Sequence, residues 1–160
     1  MFTSVGGNPE TESGFISPEQ SEHAPSADAS DASHQLPYRV LLVDDDGRTR
    51  QLVREILENY TDVTIVGHAA DGREAVALAI KHKPDVILMD IALPYLDGIE
   101  ATHCIKSVCP RTVVVCLTGD FSPTKYSAMR TAGAAAFVCK SQVLAIHDMI
   151  MYALGKWTEL

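Results

Sequence analysis

Residues 84–98 read PDVILMDIALPYLDG. Val86–Met89 is a run of four apolar residues with no polar alternation, which marks a strand buried on both faces. Asp90 closes the run, and Pro94 with Asp97-Gly98 marks the loop after it. A strand covered on both sides belongs to a parallel sheet flanked by helices. The neighbouring sequence must then supply helices and further apolar strands in alternation.

It does so in both directions. Upstream, Arg39–Val43 is a short apolar run ending in Asp44-Asp45-Asp46. Leu52, Val53, Ile56, Leu57 and Tyr60 then recur at helical spacing. Val63–Ala69 reads as a second strand. Asp71-Gly72 turns into an Ala-rich helix, Arg73 to His82, which stops before Lys83-Pro84. Downstream, Ile99–Val108 reads as a helix and Thr112–Leu117 as a strand. Pro123–Thr131 follows as a helix, Ala135–Val138 as a fifth strand and Gln142–Leu154 as a final helix. Strict β-α alternation, five times over, predicts a doubly wound five-stranded α/β fold.

Charge divides the 160 residues unevenly. Residues 1–37 carry six acids (Glu10, Glu12, Glu19, Glu22, Asp28, Asp31) and no Lys or Arg. The remaining 123 residues carry fifteen acids and thirteen bases, so most of the net −8 sits in the first 37. That segment is rich in Ser and Pro, lacks periodicity, and is expected to be a disordered acidic tail. The globular part is expected to span 38–157, enough for one core. No basic patch points to direct nucleic-acid binding, and no apolar run approaches the ~20 residues of a membrane span. Met1–Glu10 lacks the pattern of a secretory signal. Cys104, Cys109, Cys116 and Cys139 form no metal-spaced pair and read as free thiols in a reducing cytoplasm.

In a doubly wound sheet the ligand site lies beyond the carboxyl ends of the strands. The residues there form a coherent set. Strand one ends in Asp44-Asp45, strand three in Asp90, strand four in Thr118, and strand five near Lys140. Converging carboxylates repel unless a cation sits among them, and all-oxygen ligation suits Mg²⁺. A lysine and a hydroxyl beside such a cluster suit an anionic phosphoryl group. No GxxxxGK loop suggests a nucleotide cradle. Each residue also has a plain alternative. One of Asp44–Asp46 is expected to cap the first helix, Asp90 and Thr118-Gly119 read equally as turns, and Lys140 as a solvated lysine.

At these residues the sequence resembles the receiver domain of two-component response regulators, including those that precede LuxR-type DNA-binding domains. The carrying motifs are VLLVDDD (40–46), PDVILMDIALPYLDG (84–98), VVVCLTG (113–119) and AGAAAFVCK (132–140). The resemblance implies a flavodoxin-like fold with strand order 2-1-3-4-5. It implies that Asp90 is the phosphoacceptor, and that Asp44, Asp45, Asp90 and the backbone carbonyl of Ala92 hold Mg²⁺. Thr118 and Lys140 would bind the phosphoryl group, and Phe137 would be the aromatic switch, with a core aromatic as its plain alternative. Ala92 and Asp120 stand where the family tunes phosphoryl lifetime. Ser141 stands where many receivers have proline.

The implied function is phosphorelay signalling by a stand-alone, cytoplasmic receiver that is not an enzyme in the turnover sense. A histidine kinase or histidine phosphotransfer protein would be the donor. An output partner would dock on the helix 4–strand 5–helix 5 face, with homodimerisation on phosphorylation left open. Only Thr158-Glu159-Leu160 follow Trp157, so no output domain is expected in this chain. Three other readings stay open. One is a haloacid-dehalogenase-like phosphatase, whose DxDx(T/V) signature Asp44–Arg48 lacks in its last position. Another is a binding-only module, and the third the receiver of a truncated DNA-binding regulator.

Overall fold

The computed structural model describes residues 36–156. The tail expected over 1–37 lies outside the described residues save for Leu36-Pro37, and so does Trp157. Five strands, β1 (Tyr38–Val43), β2 (Val63–Ala69), β3 (Val86–Met89), β4 (Val113–Thr118) and β5 (Ala134–Cys139), form one sheet in the order 2-1-3-4-5. Every pairing is parallel. The intervening helices are α1 (Gly47–Leu57), α2 (Gly72–His82), α3 (Gly98–Val108) and α4 (Pro123–Ala132). A 3₁₀ segment (Lys140–Ala145) leads into α5 (Ile146–Ala153).

Alternation along the strands sorts the apolar side chains into two layers. Val40, Leu42, Val86, Leu88, Val115 and Leu117 face one side and pack on Val53 and Leu57 of α1 and on Ile146 and Ile150 of α5. Leu41, Val43, Ile87, Met89, Val114 and Cys116 face the other, against α2, α3 and α4. This explains the unbroken apolar run in β3: both sets of residues are buried. Burial of each large aliphatic side chain in these layers contributes roughly 1.5–3 kcal/mol.

Short polar residues start the helices at the strand ends. Asp46 accepts a hydrogen bond from Arg48 N, and Asp71 from Glu74 N. Asp97 accepts from Ile99 N and Glu100 N, and Ser122 from Lys125 N. Each cap satisfies amide donors that the helix leaves open. Asp46 is thus the capping member of the triplet, and Asp44 and Asp45 are left for other work.

Two expectations are corrected. Leu52 and Tyr60, read as part of the apolar stripe of α1, are only partly covered, because Val53 and Leu57 point at the sheet and the helix ends at Leu57. Tyr60 instead stacks flat on His147 of α5, ring centroids 3.7 Å apart. The final helix does not begin at Gln142. Gln142 has non-helical backbone angles (φ −120°, ψ 33°), which break the stretch into the 3₁₀ segment and α5.

Candidate functional site

Three chain crossings build the site. Asp44 follows β1 and its amide donates to Ala69 O (3.1 Å), which fixes it against β2. Asp90 follows β3 and its amide donates to Val43 O (2.9 Å), which fixes it against β1. Adjacent parallel strands in register therefore bring the two carboxylates side by side. Carboxylate oxygens of Asp44, Asp45 and Asp90 all lie within 4.8 Å of one another. Asp44 and Asp90 are buried, 3% and 4% exposed, while Asp45 is exposed.

Lys140 reaches this cluster from the end of β5. Its Nζ donates to Asp90 Oδ2 at 3.1 Å and lies 2.7 Å from Asp44 Oδ2. The approach to Asp44 has the distance of an ion pair, yet no donor meets that oxygen with hydrogen-bond directionality. Asp44 Oδ1 is better served, accepting from Asp46 N at 2.8 Å. Burial raises the pKa of Asp90 from its ordinary value, and the charge of Asp44 raises it further, against the lowering contact of Lys140. Burial opposes the charge of Lys140, but its close contacts with the carboxylates of Asp44 and Asp90 outweigh that, and its ammonium is held above the usual lysine range. A buried carboxylate pair with one cation between them still has an excess negative charge and an undirected oxygen. This donor set fits a hard, oxygen-seeking cation such as Mg²⁺.

The rest of the predicted set lies around this centre with different degrees of engagement. Thr118 ends β4 and is buried at 2% exposure; its hydroxyl accepts from Asp120 N (3.2 Å). Ala92 N donates weakly to Asp90 Oδ1 at 3.4 Å, which holds the backbone after Asp90 close to the carboxylate. Asp120 is exposed and pairs with Lys125 Nζ at 2.6 Å. That bond to Lys125 lowers the pKa of Asp120. Phe137 is partly buried on β5 and is not in the carboxylate cluster; its ring packs against Tyr126 of α4, centroids 4.2 Å apart. Below the site, burial and then the charge of Asp90 push the Cys116 thiol up to about 12, so it stays protonated and inert.

A backbone contact explains the glycine of the DG pair. A Cβ on Gly98 would lie 1.9 Å from Asp90 O. The loop after β3 folds back over Asp90, and Gly98 N closes it by donating to Ile91 O at 2.8 Å. Three neighbours were not legible in the sequence as part of this region: Lys125, Tyr126 and Tyr95. Helical spacing gives no sign that Lys125 and Tyr126 turn toward Asp120 and Phe137.

A parallel doubly wound sheet with buried acids at its switch point and a lysine from the last strand defines the receiver class of α/β domains. The chain belongs to the response regulator receiver family, whose model matches residues 40–150. It is 44% identical over 108 residues, 66% of this chain, to protein-glutamate methylesterase/protein-glutamine glutaminase 4 of Hahella chejuensis, covering 28% of that protein. It is 40% identical over 123 residues, 76% of this chain, to the transcriptional regulatory protein PdtaR of Mycobacterium tuberculosis, covering 57% of that protein. The crystal structure of the response regulator domain of Thermotoga maritima CheB matches with a TM-score of 0.69 at 34% identity, covering 74% of this chain and 96% of that one. The similarity to the two curated relatives thus spans only part of their lengths, and the structural match is to an isolated receiver domain. Phosphorelay signalling is the role this family carries. Among the described residues, no helix is long and apolar enough to cross a membrane.

Proposed function

We propose that this domain accepts a phosphoryl group on Asp90 from a histidine kinase or histidine phosphotransfer protein and signals by changing which partner it binds. The observation that carries the reading is the buried Asp44–Asp90 pair bridged by Lys140, 2.7 and 3.1 Å from the two carboxylates. Asp44, Asp45, Asp90 and the Ala92 carbonyl would hold Mg²⁺. When bound, it supplies charge neutralisation for the phosphoryl group.

The chain's own residues do the rest. A carboxylate oxygen of Asp90 forms the new P–O bond as the P–N bond to the donor imidazole breaks, and the imidazole leaves with the electron pair and takes up a proton. Lys140 shifts its hydrogen bonds from the Asp90 carboxylate to the phosphoryl oxygens. The Thr118 hydroxyl already accepts from Asp120 N and keeps a donor proton free for a phosphoryl oxygen. Drawing Thr118 inward pulls on the β4–α4 loop. Phe137 then gains room to turn, and the α4–β5–α5 face changes its shape. Water later attacks phosphorus, releasing inorganic phosphate and restoring Asp90. Ala92 and Asp120, which stand at the positions where the family tunes phosphoryl lifetime, set how fast that happens. On this reading the domain turns over no substrate besides its own phosphoryl group. An output partner on the α4–β5–α5 face, a cytoplasmic setting and a phosphorylation-dependent homodimer complete the proposal.

The test is labelling with acetyl phosphate and Mg²⁺. Wild type is expected to gain one acid-stable, base-labile phosphoryl group and Asp90→Asn none; equal labelling of both would remove Asp90 from its role.

A further inference from the structure

Asp90 is 4% exposed, so a phosphoryl donor must press against the rim of the site to reach it. One residue of the loop that follows Asp90 is displayed at evident conformational cost. Tyr95 sits in the loop that leaves Asp90, and its backbone adopts the left-handed region with φ +67°. Leu96 N donates to Pro94 O at 2.7 Å across it, which makes Tyr95 the centre of a strained γ-turn. Glycine fits that turn without penalty, whereas a bulky aromatic does not. Nothing in the core repays the strain, because the side chain is 79% exposed. Its ring faces Arg73 of α2, whose guanidinium carbon stands 5.8 Å from the ring centre. The loop below is rigid: a Cβ on Gly72 would lie 1.9 Å from Leu96 O, and Gly98 is pressed on Asp90 O in the same way. A closely packed loop thus holds an aromatic ring and a cation side by side in solvent, five residues along the chain from a buried acceptor. Strain retained without internal compensation points to an external use.

We infer that Tyr95 and Arg73 form a contact that recognises the protein carrying the phosphohistidine, the ring taking an apolar side chain of the donor and Arg73 an acidic group beside it. Tyrosine and arginine are the residue types that anchor such interfaces. The pair adds nothing to the bond-making step, so it acts on donor selection and not on Asp90 chemistry. The inference rests on the phosphoacceptor reading above.

The experiment measures both donors on the full 160-residue chain. Tyr95→Gly removes the ring and relaxes the turn, so it folds at least as well as wild type. Labelling by acetyl phosphate with Mg²⁺ is expected to proceed at the wild-type rate in Tyr95→Gly and in Arg73→Ala. Transfer from the phosphorylated kinase that labels wild type fastest, chosen from a panel of the host's histidine kinases, is expected to fall about tenfold in kcat/KM for Tyr95→Gly. The loss should appear in KM, with kcat kept. Tyr95→Phe should restore transfer, and Arg73→Ala should lose part of it. Unchanged kinase transfer in Tyr95→Gly overturns the inference. So does equal slowing with both donors, which would make Tyr95 structural, and so does a panel in which acetyl phosphate labels wild type but no kinase does. Labelling of Asp90→Asn would instead overturn the phosphoacceptor reading and leave Tyr95 distinguishable from it.

Discussion

Lys140 Nζ donates to Asp90 Oδ2 at 3.1 Å across fifty residues of chain. The contact joins the end of β5 to the end of β3, with β4 lying between them in the sheet. It places the cation of the site on one side of Asp90 and leaves the other acids to face it from β1. The electrostatics at the strand ends are therefore a compromise: one ammonium serves two buried carboxylates.

Lys140→Ala removes the cation and leaves both buried acids facing each other. Metal-free stability should drop by about 1–3 kcal/mol, less than for a fully buried pair because Lys140 is partly exposed. Millimolar Mg²⁺ should recover most of the loss. Urea unfolding with and without Mg²⁺ measures both, and a variant as stable as wild type without metal would contradict the electrostatic account.

Asp90→Asn should act in the opposite direction. The raised pKa of Asp90, caused first by burial and then by the charge of Asp44, means that the folded domain holds this proton more tightly than the unfolded chain does. Its contribution to stability is complete below the ordinary carboxylate range and is lost as pH rises through the raised value. The amide carries no such penalty. Asn should therefore melt higher than wild type by about 1 kcal/mol equivalent at neutral pH, the scale of one screened like-charge contact. The gap should close as pH falls through the carboxylate range. Thermal melts from pH 4 to 8 in chelator test the sign.

Gly98→Ala should be far more damaging than its size suggests. The added methyl would fall 1.9 Å from the Asp90 carbonyl, which is backbone and cannot swing aside. A loss of at least ~2 kcal/mol is expected, together with slower acetyl phosphate labelling as the loop after Asp90 moves. Denaturant unfolding and labelling rates on the same sample would show whether the two effects travel together.

Tyr126 and Phe137 should behave as a coupled pair. Their rings are 4.2 Å apart with planes tilted by 31°. A double-mutant cycle with Tyr126→Ala and Phe137→Ala should give a coupling of roughly 0.5–1.5 kcal/mol. Beryllofluoride with Mg²⁺, which mimics the phosphoryl group, should shrink that coupling if Phe137 turns away from Tyr126. A coupling that is unchanged would leave Phe137 a plain core aromatic.

Much of the molecule was legible in order along the chain. The four-residue apolar run of β3 is buried on both faces because strand period and parallel pairing demand it. Asp90 and Lys140 could be placed at strand ends because the ends of apolar runs are visible as changes in polarity. The break at Gln142 was not legible, since Gln142–Leu154 has helical composition and the kink depends on how the chain leaves β5. The exposure of Leu52 was likewise hidden, because its spacing is as helical as that of Val53 and only the sheet decides which of two adjacent residues points inward.

The sequence by itself determined the fold class, the strand ends and the chemical types gathered there. Those follow from local periodicity and from side-chain chemistry, which are properties of consecutive residues. Only the tertiary structure decided which acid caps α1, which oxygen of Asp44 lacks a directed donor, and that one lysine bridges two carboxylates. It alone decided that Tyr95 stands strained in solvent beside Arg73, and that Tyr126 covers Phe137. These depend on strand register and on loop closure, and both are set by packing between segments far apart in the chain.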